Sequence, residues 1–173
     1  MPGLLHVYTG NGKGKTTAVV GLAVRCSGTG GKVVFAQFLK TSSTGELRSF
    51  QKLGIKVIRS ALNLGWTYKM DAATKRKCRA EQGAILDQVS AVLQNDDIDL
   101  IVLDEVLDAV STGMLDDAKL QAFLDNKPEN TELAITGRPV PQWLADRCDY
   151  FSQIEKIKHP FDNGTPARSG IEN

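Results

Sequence analysis

Residues 8–17 read YTGNGKGKTT, three glycines and two lysines set between an apolar run and a pair of threonines. Glycines at alternate positions let several backbone N–H groups turn toward one point, and a helix starting just afterwards directs its positive end there. Such a loop cradles phosphate oxygens, to which Lys15 adds a full charge and Thr16 a hydroxyl suited to Mg²⁺. Against the pattern G-x-x-x-x-G-K-[ST], the first glycine is replaced by Thr9 and Gly10 follows at once, which shifts the turn.

A triphosphate–metal site also needs a carboxylate at the end of a second buried strand, and the run LIVLDE places Asp104 and Glu105 there. Kinases, GTPases, ATPases and transferases all use this pair of features. These residues therefore specify a bound nucleoside triphosphate with Mg²⁺ and leave the reaction open.

Positioning them requires strands and helices in alternation. Leu4–Tyr8 reads as a strand and Lys15–Ser27 as the helix after the loop; KVVFAQFL from Lys32, IKVIRS from Ile55, DLIVLDE from Asp99 and ELAITG from Glu132 read as four more buried strands. YFSQIEKIK from Tyr150 is a weaker sixth strand, interrupted by polar residues. Asp71–Gln94 carries a helical apolar stripe, DDAKLQAFLDN from Asp116 and PQWLADRC from Pro141 predict shorter helices, and Pro141 suits a first helical position. The expected fold is α/β: a mostly parallel sheet of five to six strands with helices on both faces, of the P-loop NTPase kind, its ligands at the carboxyl ends of the strands. TSSTGE, from Thr41 to Glu46, reads as the most flexible interior loop, and the polar stretch from Lys158 onward as a tail.

At 173 residues and 42% hydrophobic content the chain fits one domain over 1–173. Its 21 basic and 20 acidic side chains form no block of one sign, which argues against nucleic acid as a partner and favours small molecules. Three separated cysteines, Cys26, Cys78 and Cys148, favour neither a disulfide framework nor a zinc site. No apolar run approaches the ~18 residues of a spanning helix, so a cytoplasmic protein without a membrane partner is expected.

Five segments taken together, VYTGNGKGKTTAVVGLAVR, VVFAQFLK, LIVLDEVLDAVSTGMLD, AITGRPVPQWL and KHPFDNGTPARSGIEN, resemble in order the P-loop ATP:corrinoid adenosyltransferases. The resemblance implies that Co(I) of a reduced corrinoid attacks the 5′ carbon of ATP and expels triphosphate, with a reductant or reductase supplying the Co(I) state. It assigns Asn11, Gly12, Lys13, Gly14, Lys15, Thr16 and Thr17 to the triphosphate, and Thr16, Asp104 and Glu105 to Mg²⁺, Mn²⁺ being compatible with the same oxygens. Lys15, Thr16 and Glu105 are the expected catalytic residues, Lys40 and Arg138 reach phosphate or ribose, and His159 in KHPF brings the 158–173 tail over the nucleotide. A homodimer is implied as well.

Two departures stand out. Where the family carries Gly-Phe-Thr-Trp beside the corrinoid, this chain has NLGW, so Leu64 replaces the phenylalanine while Trp66 matches. The chain also starts only a few residues before its first strand, so cover for the site is expected from the tail or a second subunit. Phosphoryl transfer by a kinase or ATPase, and a low-activity ATP- and corrinoid-binding relative, are the alternatives.

Overall fold

The structure, a computed structural model, describes residues 2–40, 42, 44–61 and 70–172. Six strands, β1 (Leu5–Thr9), β2 (Val33–Gln37), β3 (Lys56–Arg59), β4 (Leu100–Asp104), β5 (Glu132–Thr136) and β6 (Tyr150–Gln153), form one sheet in the order β3-β2-β4-β5-β1-β6. Every neighbouring pair is parallel. Among the described residues six α-helices accompany them, α1 (Lys15–Gly28), α2 (Glu46–Leu53), α3 (Ala72–Asn95), α4 (Val106–Ser111), α5 (Asp117–Asp125) and α6 (Gln142–Arg147), with a short 3-10 helix at Pro160–Asn163.

Strands β2 and β4 are apolar up to their last residues, Gln37 and Asp104, because helices cover both faces. Along β2 and β4, Val34, Ala36, Ile101 and Leu103 point into a core shared with Ile85 and Val89 of α3, Leu120 of α5 and Leu144 of α6. The alternate residues Val33, Phe35, Leu100 and Val102 meet Val19 and Ala23 of α1 and Phe50 of α2 on the other side. Helix α1 therefore leaves β1 on one face while α4 and α6 leave β4 and β5 on the other, and a crevice opens above the strand ends.

Register makes those ends level. Gln37 of β2 stands opposite both Arg59 of β3 and Asp104 of β4, and Thr136 of β5 stands opposite Tyr8 of β1. Sequence reading missed α2 and α4. Glu46, expected at the end of a flexible loop, is the first residue of α2, whose apolar side reduces to a single buried Phe50. Helix α4 is too short at six residues for a periodic pattern to stand out, and it merges with the strand before it. Pro141 caps α6 one residue outside its first turn. Strand β6 ends at Gln153, after which the chain pairs with the glycine loop instead of the sheet.

Candidate active site

That pairing explains the spacing of the loop glycines. The Ile154 N–H donates to Thr9 O (2.9 Å), the Gly12 N–H donates to Ile154 O (2.8 Å), and the Lys156 N–H donates to Asn11 Oδ1 (2.9 Å). A Cβ at Gly10 would lie 2.2 Å from Ile154 O, and one at Gly12 would lie 2.8 Å from the Glu155 carbonyl. Gly10 also sits at φ +105°, which side chains rarely adopt. Of the loop's three glycines, Gly12 thus spends its N–H on residue 154. Gly10→Ala is expected to cost at least about 1–3 kcal/mol by overpacking, read as a lower urea midpoint at unchanged slope; an unchanged midpoint would show that residues 154–156 do not brace the loop.

Beyond the brace, the loop opens on a cleft of about 740 Å³. Gly12, Lys13, Gly14, Lys15, Thr16 and Thr17 line it together with Lys40 and Glu105 and with Gly45, Glu46 and Ser49 at the start of α2. His159, Gly170, Ile171 and Glu172 border the same space. Lys15 Nζ donates to the carbonyls of Gly10 (2.9 Å) and Gly12 (3.0 Å). Burial, and then the neighbouring Arg138 guanidinium, lower its pKa from the ordinary lysine value.

Asp104, between Thr16 and Lys40 and itself off the cleft surface, is fully buried and accepts from three groups. Thr16 Oγ1 (2.9 Å) and Thr136 Oγ1 (2.8 Å) donate to Oδ1, and Lys40 Nζ donates to Oδ2 (2.6 Å). Glu105 follows with φ +61°, a left-handed conformation that a glutamate takes only when its surroundings hold it there. The holding group is Thr136, whose hydroxyl accepts the Glu105 N–H at 2.8 Å. Glu105 Oε1 lies 3.3 Å from Lys40 Nζ. Burial raises the Glu105 pKa and the Lys40 charge opposes that shift. Burial would lower the Lys40 pKa, but Asp104 and Glu105 together carry it above the ordinary value.

Most of the residues expected from the sequence meet here. Asn11 is the exception within the loop, since its carbonyl oxygen is taken by Lys156. Arg138 is exposed and does not line the cleft, although its charge reaches Lys15 and Asp108. His159 borders the cleft with Nδ1 accepting the Phe161 N–H at 3.1 Å. Leu64 and Trp66 lie outside the described residues. Thr136, Asp108 and the start of α2 were not anticipated. Thr136 ends a buried strand in the run AITGR, but only the neighbouring of β4 and β5 brings it to Asp104.

The family model for ATP:corrinoid adenosyltransferase BtuR/CobO/CobP matches residues 1–173. This chain belongs to that family. The corrinoid adenosyltransferase of Escherichia coli K12 is 31% identical over 171 residues, 98% of this chain and 85% of the relative. The corrinoid adenosyltransferase of Pseudomonas aeruginosa is 30% identical, with 98% and 83% covered, and the CobA corrinoid adenosyltransferase of Salmonella typhimurium is 32% identical, with 98% and 85% covered. The family is one of corrinoid adenosyltransferases, so the phosphoryl-transfer alternative is not favoured.

Exchanging Thr136 for valine keeps the shape and removes the hydroxyl. It leaves the Glu105 N–H without its acceptor, at a cost of about 1–3 kcal/mol for an unsatisfied buried group. The expected result is a lower melting temperature and slower turnover, both restored by Thr136→Ser; a valine variant equal to wild type in both would show that the hydroxyl does not set Glu105.

Proposed function

We propose that the protein transfers the 5′-deoxyadenosyl group of ATP to Co(I) of a reduced corrinoid. The cobalt electron pair attacks C5′, the C5′–O bond breaks, and triphosphate leaves with that bond's electrons, so cobalt becomes formally Co(III) and carries the alkyl group. Co(I) is already a strong nucleophile, so the chain needs to align C5′ and to stabilise the departing charge, and no protein nucleophile is required.

The observation that carries the reading is the convergence of Lys15, Thr16, Lys40 and Glu105 on one cleft at the strand ends, in a chain of this family. In this reading Lys13, Lys15 and the free loop amides hold triphosphate, and Lys40 adds charge at its end. A divalent ion, Mg²⁺ or Mn²⁺, would neutralise phosphate charge from Thr16, Glu105 and the adjoining Asp104. These residues fit such an ion, because they already surround a positive charge, the Lys40 ammonium. Arg138 acts from the rim on the loop lysine.

The remaining assignments belong to the same proposal. The chain acts as one nucleotide-binding domain over 1–173, with its 158–173 tail folded along the triphosphate side. Its support is the position of His159 and of residues 170–172 beside the cleft. Leu64 and Trp66 meet the corrinoid, the enzyme works as a cytoplasmic homodimer, and a reductant or reductase delivers Co(I). Among the described residues no helix is long and apolar enough to cross a membrane.

The test mixes the protein with ATP, Mg²⁺ and chemically reduced cobalamin. The expected products are a light-sensitive alkylcobalt spectrum and an equal amount of inorganic triphosphate. ADP in place of triphosphate, with no alkylcobalt band, would overturn the proposal.

A further inference from the structure

Lys40 Nζ lies 2.6 Å from Asp104 Oδ2, 3.3 Å from Glu105 Oε1 and 3.4 Å from Thr16 Oγ1. Those three oxygens are the ones a divalent ion would use. An ammonium and a divalent ion repel and cannot share so small a space. The lysine backbone is pinned. The Arg59 guanidinium donates to the Lys40 carbonyl at 3.1 Å and to the Ser42 carbonyl at 2.7 Å, and the Leu39 N–H, at a left-handed residue, donates to the buried Gln82 Oε1 at 2.9 Å. The side chain remains 17% exposed toward the cleft, so its four-carbon stem can swing out while the main chain stays.

We propose that Lys40 is a built-in counter-cation: in nucleotide-free protein its ammonium holds the metal position, and it moves onto phosphate oxygen when metal and ATP arrive together. The metal then enters with the nucleotide and does not bind alone. This rests on the metal–ATP reading of the cleft above. Two observations support ordered entry. Asp104 is fully buried and already accepts three hydrogen bonds, and among the described residues no group of three His, Cys, Asp or Glu side chains stands ready for an ion. A divalent ion needs about six oxygens, so phosphate and water must supply those the side chains do not, while the lysine supplies the charge that keeps Asp104 neutralised until then.

The experiment titrates Mn²⁺ into the full chain and follows free Mn²⁺ by electron paramagnetic resonance, with and without ATP and without corrinoid. Wild type is expected to show saturable Mn²⁺ binding only with ATP. Lys40→Met, unbranched like lysine, one atom shorter and uncharged, is expected to gain a site without ATP at least about tenfold tighter than wild type, equivalent to about 1.4 kcal/mol, and to lose it again when Glu105→Gln is added. Saturable ATP-independent binding by wild type as tight as in Lys40→Met would overturn the idea, as would a folded Lys40→Met that binds no Mn²⁺ alone. If circular dichroism shows that Lys40→Met does not fold, the wild-type titration decides by the same criterion: saturable binding without ATP overturns. Adenosyl transfer is assayed separately. A wild type with ATP-dependent Mn²⁺ binding and no alkylcobalt product refutes the reaction and supports the exchange, whereas product formation with Mn²⁺ binding indifferent to ATP refutes the exchange alone.

Discussion

Alanine at Lys15 is expected to slow adenosyl transfer by about 10²–10³-fold, equivalent to about 2.7–4 kcal/mol of barrier, the scale on which one preorganised donor to developing negative charge acts. The ammonium rests on the carbonyls of Gly10 and Gly12, bonds it can exchange for phosphate oxygens without moving the loop. Its half-buried position and the Arg138 charge already make the ammonium less comfortable than in water, which favours its transfer to an anion. The loop is braced independently by Ile154 and Lys156, so the variant should keep its fold and lose rate. Single-turnover formation of adenosylcobalamin checks this. A variant with wild-type rate would show that triphosphate does not leave through this loop.

Asp104→Asn is the second large effect, and it falls first on stability. The substitution removes the charge that faces Lys40 at 2.6 Å in a position with no exposure. Breaking a buried pair by removing one partner typically costs about 3–5 kcal/mol, and the lower end applies because Lys40 can reach the cleft's solvent. At about 2–4 °C per kcal/mol for a chain of this size, a loss of about 3 kcal/mol lowers the melting temperature by about 6–12 °C. Calorimetry gives the answer directly. An unchanged melting temperature would mean that the Asp104–Lys40 contact contributes nothing, and would remove the electrostatic basis for the counter-cation.

The two variants separate roles that the sequence presents as one motif pair. Lys15 is loosely tethered to main-chain oxygens and free to meet a ligand, whereas Asp104 is locked by Thr16, Thr136 and Lys40 and has little capacity left. Glu105, held at a left-handed backbone by Thr136, presents the carboxylate that borders the cleft.

Much of this was readable along the chain. Local patterns carry the strands and the long helices, because a strand covered on both faces must be apolar throughout and a helix over it must repeat its apolar residues every turn. The loop and LIVLDE carry their chemistry in consecutive residues, so Lys15, Thr16, Asp104 and Glu105 could be named without coordinates. What no local pattern holds is which strand lies beside which. Only the order β2-β4-β5-β1 sets Lys40 and Thr136 on either side of Asp104, and only the fold of residues 154–156 onto Gly10 and Gly12 shows that two of the loop's glycines make room for backbone. Contacts between residues 64 or more positions apart, as Lys40 and Asp104 are, depend on how the whole sheet assembles. The residue types were therefore legible, and their partners were not.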